Sequence, residues 1–115
     1  MEIKIVKGDD LNYVLTVLDS SGVAQDLTGA TAAVFTVKDE YTDENALIQK
    51  TLGSGVTLTD AANVVVTVVL TDSDTDINAG LYKFDLQITD ASGNIVTVRN
   101  SDGTPGDFIV LNSLN

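Results

Sequence analysis

Apolar and polar residues take turns along most of this chain, and 82–89 shows the pattern most plainly. Tyr82, Phe84, Leu86 and Ile88 are apolar, while Lys83, Asp85, Gln87 and Thr89 are polar. A side-chain period of two belongs to a strand with one dry face and one wet face. Similar short runs recur, divided by turn residues at roughly the 8–12-residue spacing of stacked short strands. The pattern predicts strands over 2–6, 11–18, 30–38, 46–52, 56–59, 63–71, 80–90, 95–99 and 107–111. Breaks fall at Gly8-Asp9-Asp10, Asp19-Ser20-Ser21-Gly22, Gly53-Ser54-Gly55 and Asp60-Ala61-Ala62-Asn63. Asp90-Ala91-Ser92-Gly93-Asn94 reads as a hairpin turn, with Gly93 and Asn94 suited to positive φ. The stretch 72–78 reads as one helical turn capped by Asp72 or Ser73, with Ile77 plugging one end of the core. Helical periodicity is sustained nowhere else.

The lead-in to the 80–90 strand narrows the fold. Asn78-x-Gly80-x-Tyr82 sits where the tyrosine corner sits in an immunoglobulin-like sandwich. In antibody domains a cysteine follows that tyrosine by two residues. Here the position holds Phe84 and the chain has no cysteine, so a packed ring is expected in place of a disulfide. The expected fold is all-β: an immunoglobulin-like antiparallel β-sandwich of about seven to nine strands without a disulfide, in one domain spanning residues 1–115.

Two of the predicted strands are apolar on both faces. Val64, Val66, Val68 and Leu70 share one face, and Val65 and Val69 take the other. Likewise Val14 and Leu18 lie opposite Leu15 and Val17. Antiparallel sheets commonly wet their outer face, so these residues suggest that something covers it. Val14, Leu18, Val65 and Val69 are therefore candidate contact residues, joined by Tyr41 in the polar loop 39–45.

Composition excludes several functions. The 115 residues are 43% hydrophobic, enough for one core, and carry 17 acidic against 6 basic groups, for a net charge of −11. Such a chain repels nucleic-acid phosphates and anionic membranes. Without cysteine or histidine it has no thiol chemistry, no zinc–thiolate site and no serine–histidine or cysteine–histidine pair. Fourteen of the acids are aspartate, mostly at turns, where a short carboxylate bonds to nearby backbone N–H groups. No secretory signal follows Met1, and no apolar run reaches membrane-spanning length. The chain is therefore expected in the cytoplasm of its host during synthesis.

One run invites a metal. Asp72, Asp74, Asp76 and Asn78 alternate as oxygen ligands do in a calcium loop, making calcium the one cofactor the sequence raises. The sixth and twelfth positions of an EF-hand loop counted from Asp72 hold Ile77 and Lys83, which fit neither requirement. Capping and turn chemistry account for the run more simply. A glycan site would want aromatic platforms; there is no tryptophan, and of six aromatic residues only Tyr41 falls outside the strand pattern. Arg99 and Lys83 are expected to balance Asp85 across strands on an outer face.

The order of segments carries a resemblance. Lys7-Gly8-Asp9-Asp10 leads into a strand, and Asp26-Leu27-Thr28-Gly29-Ala30 follows a turn. Leu70-Thr71-Asp72-Ser73-Asp74-Thr75 and Gly80-Leu81-Tyr82-Lys83-Phe84-Asp85-Leu86 come next, before a glycine-bearing hairpin and a final Phe108-Ile109-Val110 strand. Over nearly its whole length the chain resembles the small immunoglobulin-like structural proteins of tailed phages and prophages, similar to the N-terminal domain of phage baseplate upper proteins. The resemblance implies a non-enzymatic virion structural or assembly module, of tail or baseplate type, that acts through protein–protein contacts. It implies other virion proteins or further copies of this chain as partners, the virion as final location, and no catalytic residue. The alternative reading is a calcium- or glycan-binding β-sandwich module.

Overall fold

The computed structural model describes residues 2–16, 28–40, 45–60, 65–98 and 104–113. Among these the chain is all-β, with nine strands and no helix: β1 (Glu2–Val6), β2 (Leu11–Thr16), β3 (Ala32–Lys38), β4 (Ile48–Leu52), β5 (Gly55–Asp60), β6 (Val65–Leu70), β7 (Gly80–Thr89), β8 (Ile95–Val98) and β9 (Gly106–Leu111). β3 and β4 each begin two residues later than the alternation suggests, and Leu47, counted in the fourth strand, is 50% exposed.

All nine strands join one sheet in the order β1-β9-β7-β3-β4-β5-β6-β2, with β8 also on β7. One edge of β7 carries β9 over 80–84 and β8 over 86–89, while β3 takes the other edge. Two layers result. β1, β9, β8, β7, β3 and β4 form one, and β5, β6 and β2 form the other. Grouping the second, sixth and fifth strands apart from the third and seventh follows the immunoglobulin order. The layers are continuous, however, through a short parallel link that pairs Thr51 with Gly55 and Leu52 with Val56. The sheet thus rolls toward closure instead of splitting in two.

The expectation of a purely antiparallel sheet needs correction, because β1 also runs parallel to β9, in register from Glu2–Asp107 to Val6–Leu111. A parallel pair needs a long crossover; β1 and β9 stand at opposite ends of the chain, so the whole domain supplies it. Burial follows the period of two. β3 alternates half-buried and buried, and Ala33, Phe35 and Val37 point inward. Phe108 and Val110 on β9 are buried in the same layer, and opposite them Val66, Val68 and Leu70 are buried on β6.

The ring at 84 holds the centre. Phe84 is 2% exposed and lies 5.5 Å from Phe35, 6.4 Å from Phe108 and 6.2 Å from Tyr13, the last two edge-on. Tyr13 belongs to β2 in the opposite layer, so this edge-to-face contact spans the two strands that a disulfide joins in antibody domains. Gly106 is the register partner of Phe84. A Cβ there would stand 2.5 Å from Phe84 Cε1, so only glycine leaves room for the ring. The Tyr82 hydroxyl donates to the Asn78 carbonyl, which completes the tyrosine corner.

The turn expected over 72–78 is shorter and differently capped. The Asp74 and Thr75 N–H groups donate to the Thr71 carbonyl at 3.0 and 3.2 Å, closing one turn over 72–74 that no helix continues. The cap is Thr71, neither Asp72 nor Ser73: its N–H and hydroxyl both donate to Asp74 Oδ2, at 2.8 and 3.0 Å. Ile77 is half-buried and packs against the core as expected, while the fully buried residue of the run is Thr75, at 0% exposure. A threonine can be buried here because its hydroxyl donates to the Asp9 carbonyl at 2.6 Å. In the hairpin turn, Gly93 does take positive φ (87°), and Asp90 Oδ1 accepts from the N–H groups of Ser92 and Asn94.

Candidate functional site

The outer face of the smaller layer is built from alternate residues of three strands. On β2 these are Asn12, Val14 and Thr16; on β6, Val65, Thr67 and Val69; on β5, Thr57. Inward alternation on these strands puts them outside, and the antiparallel register sets Val14 opposite Thr67, Asn12 opposite Val69 and Thr16 opposite Val65. Val14 thus has Val65 and Val69 on its two diagonals, within reach of side-chain contact. Val14 is 59% exposed and Val69 39%. None of these seven side chains is charged, in a chain whose net charge is −11; the one acidic residue in register with them is Asp60, the last of β5, paired with Val65. Of the residues expected at a contact, the structure brings Val14, Val65 and Val69 together; Leu18 and Tyr41 lie outside the described residues.

The larger layer differs. Its outward positions include Glu2 and Lys4 on β1, Lys38 on β3, Lys83 and Asp85 on β7, and Asp107 on β9. Lys83 Nζ meets Asp107 Oδ1 at 2.6 Å, so its ion-pair partner lies on β9, not at Asp85 as expected from sequence; Arg99 is outside the described residues. A shallow groove of about 360 Å³ runs over this face, lined by Thr36, Gln49, Asp85 and Gln87 among others. Its one ring, Phe84, is buried, so the groove offers a sugar no stacking platform.

A second exposed apolar patch escaped the sequence reading. Leu81 (55% exposed) faces Ile109, and Leu111 (44%) faces Val6 across β7, β9 and β1. The signal was present as apolar residues at outward positions of 80–90 and 107–111. Lys4 pairs with Ile109, and the Lys83–Asp107 pair lies next along, so charges border this patch.

The acidic run is a clasp. Asp74 Oδ2 also takes a contact from Lys50 Nζ at 2.9 Å. Partial desolvation pushes the Asp74 carboxyl up, but the Lys50 ammonium and the two Thr71 donors together outweigh it and hold the group below the ordinary aspartate range. Asp76 stands 3.8 Å from Lys7 Nζ. Asp72 donates its N–H to Asp10 Oδ1 at 2.7 Å, and Asn78 supplies the carbonyl for Tyr82. These bonds tie 71–78 to the 8–10 turn and to β4. Among the described residues no group of three carboxylates converges as a metal site would require. Burial raises the Tyr13 hydroxyl above its ordinary value, in keeping with its packing on Phe84.

No protein-family model matches the chain, and no curated protein sequence matches it.

Proposed function

We propose that the chain is a non-enzymatic structural or assembly module of a phage or prophage virion, of the tail or baseplate kind. It works by docking the outer face of β2, β6 and β5 on another virion protein or another copy of itself. The observation that carries this reading is the gathering of Val14, Val65 and Val69 on that face, where the described positions of β2 and β6 carry no charge. Interface centres are depleted in charge relative to the rest of the surface. The resemblance of the 7–10, 26–30, 70–75, 80–86 and 108–110 segments to phage immunoglobulin-like proteins supplies the setting. The lack of histidine and cysteine favours binding over chemistry, and the acidity disfavours nucleic acid and anionic membrane as partners.

The test uses a lysogen that carries the gene. Mass spectrometry of purified particles is expected to find the chain at a fixed ratio to known tail proteins. Deleting the gene should lower plaque yield, and the wild-type gene should restore it. A Val69→Lys copy should fold with an unchanged melting point yet fail to restore it. Particles that lack the chain, or a deletion with normal plaques, would refute the reading.

A further inference from the structure

The two ends of the sheet are guarded differently. Among the described residues β1 and β2 end the main path of strands, and β8, four residues long, is a further short edge beside β7. β1 places Glu2 and Lys4 outward, with side chains more than half exposed. Charged edge residues, lysine above all, are a common defence against strand pairing. β2 has none of the usual defences. Its sequence, Leu-Asn-Tyr-Val-Leu-Thr, contains no charge and no proline. Its register with β6 runs from Leu11–Leu70 to Thr16–Val65 without a bulge.

The inner face of β2 is also incompletely covered. Leu11, Tyr13 and Leu15 are only half-buried, whereas their register partners Leu70, Val68 and Val66 are at most 1% exposed. A strand laid along the free edge would extend burial over all three. We propose that this strand is β2 of a second copy, running antiparallel, so that two chains share a continuous layer in the order β5-β6-β2-β2-β6-β5. The proposal rests on the docking role of this layer and names the partner and the geometry.

Parity restricts the pairing. A two-fold axis through the strand keeps inner faces together only if it passes through a residue position, because a one-residue slip turns every side chain to the other face. Centred on Tyr13, the two tyrosines meet and each Leu11 faces a Leu15. Centred on Val14, the two valines meet outside and each Tyr13 faces a Leu15. Over 11–16 both arrangements set apolar against apolar on the inner side and bring no two charges together. Charge argues for the same site. Two chains of net charge −11 repel, so the pairing needs an edge such as β2 that carries no charge of its own over 11–16.

Analytical ultracentrifugation across micromolar to millimolar protein, at low and high salt, tests this directly. The expected result is a monomer–dimer equilibrium that tightens with salt, as screening weakens the repulsion. Val14→Lys, at an exposed position, should weaken the dimer about tenfold or more through like-charge juxtaposition, with the melting point of the dilute monomer unchanged. Lys4→Ala on the opposite edge should leave the dimer as it is. Amide hydrogen exchange supplies an independent reading: protection over 11–16 should rise with protein concentration. A strict monomer at millimolar protein would overturn the proposal, as would a dimer indifferent to Val14→Lys or β2 protection independent of concentration. If the monomer result appears while Val69→Lys still abolishes particle assembly, the docking role stands and only the self-pairing falls.

Discussion

Gly106 and Phe84 should behave as a lock in which each residue decides what the other can be. In Gly106→Ala the new Cβ would stand 2.5 Å from Phe84 Cε1, 2.7 Å from Cζ and 3.1 Å from Cδ1. The ring cannot retreat, because Phe35, Phe108 and Tyr13 hold it from three other sides. Overpacking of this kind costs about 1–3 kcal/mol. Phe84→Ala empties the same space and costs about 3–5 kcal/mol. In that emptied background the substitution at 106 loses its clash. Replacing glycine where the backbone is compatible then stabilises by about 0.4–1 kcal/mol, through the unfolded chain. The effect of Gly106→Ala should therefore change sign between backgrounds, for a coupling of about −1.4 to −4 kcal/mol in a double-mutant cycle. Urea unfolding followed by far-UV circular dichroism measures all four variants, since the chain has no tryptophan to report. At about 2.1 cal/mol/K per residue, 1 kcal/mol corresponds to about 4 °C in melting temperature for a chain this size. If Phe84→Ala proves too weak to measure, Phe84→Leu tests the same coupling at reduced amplitude. Additive costs, with Gly106→Ala equally harmful in both backgrounds, would refute the packing account.

Tyr82→Phe removes the hydroxyl that reaches the Asn78 carbonyl and should cost about 1 kcal/mol in urea unfolding. Asp74→Asn should likewise cost about 1 kcal/mol near neutral pH, by weakening the bonds to Lys50 and Thr71. The Asp74 pKa is lowered in the folded state, so its contribution is full above the ordinary value of 3.8 and is lost as pH falls through the folded value. The stability gap between wild type and Asp74→Asn should accordingly close in acid, and a gap that persists at pH 2 would contradict the assignment. Millimolar calcium is expected to leave the melting temperature unchanged, because Asp74 and Asp76 already face Lys50 and Lys7; a rise reversed by EDTA would restore the metal reading.

What the sequence disclosed was whatever depends on neighbours along the chain. The period of two in 82–89 placed Tyr82, Phe84, Leu86 and Ile88 inside, and the spacing from Asn78 to Tyr82 announced the corner that the hydroxyl closes. The outward valines at 14, 65 and 69 were legible for the same reason. What stayed hidden depends on partners chosen across the chain. No local pattern says that β1 runs parallel to β9, that Gly106 must clear a ring on β7, or that Lys83 selects Asp107 over Asp85. The 72–78 run left two readings open because capping residues and metal ligands are the same residue types. Only the positions of Lys50, Lys7 and Asp10 show that these groups serve as a clasp.

The distribution of charge separates fold from function in the two layers. β7 shows that this fold accepts charge at outward positions, since Lys83 and Asp85 alternate there with four buried apolar residues. The outward sites of β2, β5 and β6 face water on the same kind of pleated surface, so folding alone does not forbid aspartate or lysine there. Valine and threonine suit a strand, but an edge such as β2 ordinarily gains from a charge, which discourages stray pairing. A strongly acidic chain that leaves β2 and the outward positions of β6 uncharged has left that edge undefended against an added strand. The half-buried Leu11, Tyr13 and Leu15 point the same way from inside the layer. On the proposed reading a covered edge and a docking face are two views of one requirement, that the smaller layer be finished by a second chain.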